Sequence, residues 1–418
     1  MNKRPQRKRK ARFLAAVDEP VSIAQAMDPL TEEERKGWKG WVELESDPAI
    51  FNFILRKYGV NGVKIQEVFS LEDEMLAFLP YSPRVYQCTQ EICGSPTRFT
   101  TNNACATVAM LNIVMNSPDV DLGATLSKFK DDTKRLKPAY RGKRLGEHDF
   151  IRSVHNSFFR RMENLDADLS LQNDFEKWER VKNKPKRKAA TNNRKKKTPD
   201  DDELAFHFIA YVPVDGILWR LDGLQRQPLS LGEVGDSWIA LARQSIEQRM
   251  AQYEEDGVQF NLLSLCKSPL QSIPSEAAVA FTSLSAIEER LDELKPGWKE
   301  FAPSDGFSSF GKKNGSFGII SGEAIRDTAL LRSSTKQIDM ARENIVTLMG
   351  LHQETSRKLA RLQASYIEEE STISTENAEA SSRIVDHTQI VFNAIQTLLE
   401  AGVMKEIVQD VGNGGSAE

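Results

Sequence analysis

The stretch NNACATVAMLNIVMN, residues 102 to 116, sets a single thiol, Cys105, between two asparagines and an apolar run. Asn103 has the side chain of an N-cap, and the residues after it are apolar on nearly every side, so the spacing predicts a buried helix with Cys105 in its first turn. At such a position unpaired backbone N–H groups and the positive end of the helix dipole favour a thiolate over a thiol, which is how a sulfur nucleophile is prepared. The plainer alternative is a small side chain filling a gap between packed helices.

A nucleophilic cysteine needs a base and a group to orient it. The chain has five histidines. His148 sits among charged residues, His155 lies on a helical pattern (DFIRSVHNSFFRRM), and His352 and His387 belong to C-terminal helical stretches. His207 differs, because FHFIAYVPVDGILWRLDGL reads as a hairpin whose two arms alternate around Asp215-Gly216, a favoured type I′ turn. A two-residue loop there places Asp222 opposite Ile209 and His207 opposite Leu224. His207 and Asp222 are then diagonal neighbours on one sheet face, roughly 7 to 8 Å apart at the backbone. That spacing suits an imidazole held by a carboxylate; a structural hydrogen bond between two strand residues is the alternative.

The chain that must position these groups has 418 residues, enough for more than one domain, and is 40% hydrophobic and 28% charged. Neither a bilayer span nor the apolar core of a secretory signal is visible, so the expected residence is inside the cell with no membrane contact. Four cysteines do not make a disulfide scaffold. Cys88 and Cys93 are spaced CxxxxC without a second pair, so no metal site is expected. The net charge of -4 hides two basic blocks, KRPQRKRKAR at 3 to 12 and KNKPKRKAATNNRKKK at 182 to 197. Such blocks serve as solvated loops, nuclear import signals or contacts to nucleic acid and chromatin. They lack interleaved aromatics and match no nucleic-acid reading module.

Five regions follow from composition and periodicity. Residues 1–37 read as a disordered basic arm, and 38–267 as one mixed α/β domain with a basic insertion. Residues 268–330 are rich in Ser, Pro and Gly and read as a linker with one short helix, AIEERLDEL. Residues 331–411 hold two helical segments, 334–368 and 376–409, ahead of a short tail at 412–418. The second segment carries Ile384, Ile390, Val391, Ile395, Leu398 and Leu399 on one stripe, which requires a partner surface inside or outside the molecule.

NNACAT at Cys105, DELAFHFIAYVPV at His207 and LDGL at Asp222 together resemble the ubiquitin carboxyl-terminal hydrolases, a family of cysteine peptidases. GWVELESDPAIFNFILRKYGV, IRSVHNSF and QRMAQYEEDGVQFNLLSL sharpen the likeness to its long-tailed, proteasome- and Polycomb-associated subgroup. The resemblance implies an α/β (α+β) papain-like hydrolase domain, with a central antiparallel sheet flanked by helices, and a C-terminal helical domain. It implies Cys105 as nucleophile, His207 as base and Asp222 as the group fixing the imidazole, with no cofactor and no metal. The substrate implied is ubiquitin joined to a protein or small adduct. Residues 159–203 correspond to the family's crossover loop, enlarged here by the basic run, which points to nucleosome or nucleic-acid contact and to residence in cytoplasm and nucleus. Residues 376–409 correspond to the part that docks on a helical adaptor of the proteasome or of a chromatin complex.

One departure matters. The family's oxyanion-stabilising glutamine falls at Phe99, which has no side-chain donor, and the segment 81–101 is shorter than the family pattern. Losing one such donor costs about 2.7 to 4 kcal/mol, or roughly 10² to 10³ in rate. Asn102 or Asn103 supplies the missing donor, or the chain is a catalytically weak ubiquitin-binding scaffold, or an exon segment between 81 and 101 is missing from its gene model or transcript; the last is the favoured account.

Overall fold

A computed structural model describes residues 23–72, 103–182, 208–222, 227–235, 237–253, 261–300 and 344–404. They divide into two units: Met1–Lys39, Ser157–Thr198 and Arg383–Glu418 form one, Gly40–Asn156 and Pro199–Ser382 the other.

In the first unit, α1 (Ile23–Ala26) is a single turn and α2 (Glu32–Gly37) carries a full capping box between Thr31 and Glu34. The described part of the arm expected at 1–37 is therefore partly helical. The T-x-x-E signature of a helix start was present in TEEE, and charge density had obscured it. Residues 1–22 lie outside the described part.

The second unit holds the apolar core. In chain order it contains α3 (Pro48–Tyr58), β1 (Val63–Glu67), α4 (Cys105–Met115), α5 (Gly123–Thr133), α6 (Pro138–Gly146) and α7 (Asp149–His155). The first unit contributes α8 (Arg161–Lys182), so the loop expected at 159–203 is helical over almost all of its described part. The second unit resumes with β2 (Ile209–Val214), β3 (Ile217–Asp222), β4 (Leu229–Glu233), α9 (Trp238–Tyr253), β5 (Leu263–Lys267) and α10 (Pro269–Leu294). α11 (Ile345–Ile384) follows, and α12 (Thr388–Glu400) returns to the first unit.

Asp47 caps α3 by accepting from Ala49 N (2.8 Å), Pro48 occupies its first turn, and Gly59 ends it in the left-handed region at φ 86°. Ile50, Phe51, Ile54, Leu55 and Tyr58 on α3 are buried. The Asn52 amide joins α3 to β1 by donating to Ile65 O (2.8 Å) and accepting from Ile65 N (2.6 Å), so it bonds that strand residue as a neighbouring strand would. β1 pairs antiparallel with β5, and β2-β3-β4 form an antiparallel meander with a register shift between Leu218 and Trp219.

The expected linker at 268–330 is replaced, over its described part, by the 26-residue helix α10. Pro269 sits in the first turn, where its missing N–H costs nothing, and the loop-like KSPLQSIPSE is overridden by the packing of Ile273, Ala277, Ala278 and Ala280. Ala277, Ala278, Ala280 and Leu284 pack with Leu359 of α11, and Ile287, Leu291 and Trp298 with Leu348. α11 also runs through the break expected between 368 and 376. Thr372 and Thr375 return hydrogen bonds to Glu368 O (2.9 Å) and Ser371 O (3.0 Å), so their side chains do not interrupt the helix. Glu369 pairs with Lys64 (2.6 Å), and Glu376 bonds Arg56 (3.1 Å) and Asn52 (3.2 Å), which fastens this stretch of α11 to α3 and β1.

One buried polar cluster joins the helices around α4. His155 is fully buried, its Nε2 lies 2.7 Å from Val42 O and its Nδ1 2.8 Å from Thr107 Oγ1. A carbonyl only accepts, so Nε2 carries the proton, and Nδ1 of the neutral ring accepts from the threonine. Asn156 takes the adjoining main chain, accepting from Val42 N (3.2 Å) and donating to Gly40 O (3.0 Å). Burial drives the His155 pKa down from 6.5 to about 4, against the opposing effect of its bond to Val42 O.

The sign of the resulting pH dependence follows directly. Above pH 6.5 the ring is neutral folded or unfolded, and it costs nothing. As pH falls from 6.5 toward about 4 the unfolded chain takes up a proton that the folded one refuses, so stability is lost across that window, by on the order of 3 kcal/mol. A ¹³C-edited titration of the imidazole should show His155 neutral and unshifted from pH 8 to 5; a midpoint near 6.5 would contradict the burial account.

Candidate active site

α4 begins at Cys105. Its N-cap is Ala104, with no side-chain hydrogen bond to the first turn, so Asn103 is not the N-cap that the sequence led one to expect. Asn103 instead takes a left-handed backbone, φ 62°, a conformation that asparagine adopts more readily than most residues. The chain thus turns sharply into the helix. Asn102 lies outside the described residues.

Cys105 is partly exposed, whereas Ala106, Thr107, Val108, Met110, Leu111, Val114 and Met115 are buried. The helix is largely enclosed, as its apolar composition requires, and within its first turn only Cys105 is partly exposed. Cys266 is buried, and that burial pushes its thiol up, with Ser264 and Lys64 opposing.

The hairpin has the expected turn and register. Asp215 and Gly216 have φ of 49° and 76°, the two positive values of a type I′ turn. Facing pairs run from Val214 with Ile217 to Ile209 with Asp222. Ala210, Val212, Val214 and Leu221 form a buried patch against Ala109 and Ile113 of α4. The helix that starts at Cys105 therefore lies on the hairpin that ends at Asp222. By strand alternation Asp222 shares the side of Ile209 and Tyr211, opposite Leu221. His207 and Leu224, the pair expected there, and Phe99 and the rest of segment 81–101 lie outside the described residues.

The structure adds residues that the reading of chemistry had passed over. Thr107, two positions after Cys105, and His155, set aside as one more helical residue, are joined by a buried hydrogen bond. A histidine followed by asparagine between Ile151, Val154 and Phe158 was the available signal: two polar side chains buried among them must find partners. Among the described residues no three His, Cys, Asp or Glu side chains gather as a metal ion would require, and no helix is long and apolar enough to cross a membrane.

A family model described as ubiquitin carboxyl-terminal hydrolase, family 1, matches residues 41–86 and 97–251. The break between them falls inside the segment 81–101, and Phe99 lies in the resumed match. The chain is 28% identical over 273 residues to ubiquitin carboxyl-terminal hydrolase isozyme L5 of Dictyostelium discoideum, covering 62% of this chain and 71% of the other. It is 29% identical over 272 residues to ubiquitin carboxyl-terminal hydrolase ubh-4 of Caenorhabditis elegans, covering 61% and 76%. It is 26% identical over 284 residues to ubiquitin carboxyl-terminal hydrolase BAP1 of Gallus gallus, covering 61% and 37%. An uncapped cysteine at the head of an enclosed helix, lying on an antiparallel hairpin within that match, places the chain in the ubiquitin carboxyl-terminal hydrolase family, in its long-tailed subgroup, as a cysteine-type ubiquitinyl hydrolase of α+β fold.

Proposed function

We propose that Cys105 is the nucleophile toward the carbonyl of ubiquitin's C-terminal glycine, with His207 as base and Asp222 as the group that orients it. The observation that carries this is the seating of Cys105 alone, partly exposed, at the first position of a helix whose other first-turn side chains are buried. The sulfur adds to the carbonyl carbon, and His207 takes the thiol proton and delivers it to the departing lysine amine as the C–N bond breaks. Water, deprotonated by the same imidazole, then cleaves the thioester. With Phe99 at the place of the family's glutamine donor, turnover is reduced by roughly 10² to 10³ where no other donor replaces it. The left-handed Asn103 beside the helix start supports an amide from Asn103, or from Asn102, as the substitute donor. The rival reading is a catalytically weak scaffold that binds ubiquitin.

We further propose that the C-terminal helices dock on a helical adaptor of the proteasome or of a chromatin complex. Ile390, Val391, Ile395, Leu398 and Leu399 on α12 are all exposed, which supports an apolar partner for this stripe. The basic run 182–197 serves nucleosome or nucleic-acid contact and nuclear residence, alongside a cytoplasmic pool.

Three measurements test these readings. A ubiquitin probe with a C-terminal electrophile should label Cys105 within minutes and Asp222→Asn at least tenfold more slowly; binding without labelling would support the scaffold. Leu399→Asp should abolish co-purification with a proteasomal or chromatin-complex adaptor while probe labelling stays as in the wild type; retained co-purification removes α12 as the docking face. Deleting 182–197 should reduce both nuclear retention and nucleosome affinity, and unchanged values would remove the role given to the basic run.

A further inference from the structure

The first turn of α4 has no side-chain cap of its own. A helix start without one frays unless something else holds it. Here the hold comes from behind. Thr107 is two residues on from Cys105, about 200° around a helix of 3.6 residues per turn, so the fully buried Thr107 is on nearly the opposite side from the partly exposed Cys105.

Thr107 Oγ1 donates to His155 Nδ1 (2.8 Å), and the ring's Nε2–H donates to Val42 O (2.7 Å). On the other side Tyr58 OH stands 3.4 Å from Thr107 Oγ1 and donates to Ile151 O (3.2 Å). Trp41 meets the imidazole edge to face, with centroids 4.8 Å apart. The turn bearing Cys105 is thereby tied to α7 and Val42, with Trp41 and Tyr58 of α3 packed beside the bond, by groups that are all buried. None of them touches the scissile bond in the reaction as written above.

We infer that Thr107 and His155 are positioning residues for the hydrolysis, fixing the sulfur of Cys105 through the hydrogen bond they share; this rests on the reading of Cys105 as nucleophile. The bond sets the rotation and axial position of the first turn. Its loss lets the sulfur wander, and a misplacement of about 1 Å can cost up to about 10² in rate.

The test compares Thr107→Val, which keeps the shape and removes the hydroxyl, with Thr107→Ser, which keeps the hydroxyl. The substrate is ubiquitin with a C-terminal fluorogenic amide, and the whole chain is used at a temperature where each variant is folded by circular dichroism. Thr107→Val should lower kcat about tenfold with KM within twofold, and Thr107→Ser should restore kcat to within twofold of wild type. His155→Gln, whose amide still reaches Val42 O but leaves no ring nitrogen for Thr107, should reproduce the loss and serves if Thr107→Val does not fold. A wild-type kcat in a folded Thr107→Val or His155→Gln chain, with only a lower Tm, would overturn the inference and leave the bond a matter of stability. If the wild-type chain shows no Cys105-dependent turnover, the nucleophile reading fails instead. The positioning role is then read from the alkylation rate of Cys105 by iodoacetamide, where equal rates in wild type and Thr107→Val overturn it.

Discussion

A helix that is apolar all the way round has to be enclosed, and the enclosure of α4 is the constraint around which the larger unit is arranged. Val108, Met110, Leu111, Val114 and Met115 are each buried, and each such burial contributes roughly 1.5 to 3 kcal/mol. To satisfy them the chain supplies the hairpin on one side, through Ala210, Val212, Val214 and Leu221, and the α3 and α7 side chains on another. Cys105 gains its setting from this. It stands at the N-terminal end of the helix, partly exposed, while the rest of its first turn is buried.

Enclosure brings a second requirement. A helix surrounded by other elements buries polar groups with it, and an unpartnered one costs about 1 to 3 kcal/mol. The larger unit meets this with a few side chains that each satisfy more than one partner. Asn52 bonds both backbone groups of Ile65, Asn156 bonds residues 40 and 42, and His155 bonds Thr107 and Val42. These are long-range bonds, so they fix which elements meet as well as how stable the contact is. A neutral imidazole is the natural bridge between a hydroxyl and a carbonyl, because it accepts at one nitrogen and donates at the other.

The C-terminal helices follow the same logic with different means. α10 and α11 pack through small and branched apolar side chains, while the charged residues of α11 find partners on α3 and β1. Lys64 and Glu369 are nearly buried, so this ion pair is more consequential than the exposed pairs elsewhere on the helices. In the smaller unit, the Asp386 carboxylate accepts from the backbone N–H of both Arg161 and Thr388, tying the start of α8 to that of α12, and the Arg161 side chain reaches Asp28 O and Glu34.

Local chemistry was legible in the residues themselves. Asp215-Gly216 dictated a type I′ turn, because both positions accept positive φ, and with it the pairing of Ile209 with Asp222; the all-round apolar character of 104–115 dictated a buried helix with Cys105 at its head. Composition misled at the helical tail and the arm. Ser and Pro in KSPLQSIPSE argue for a loop only while nothing packs on the segment, and α10 gains its packing from α11, whose own run through 368–376 is held by Glu369 and Glu376 on Lys64, Arg56 and Asn52. The start of α4 shows the other limit. Which of the five histidines is locked away neutral depends on Thr107 and Val42, about fifty and more than a hundred positions away, and separation along the chain says nothing of which groups burial will bring together.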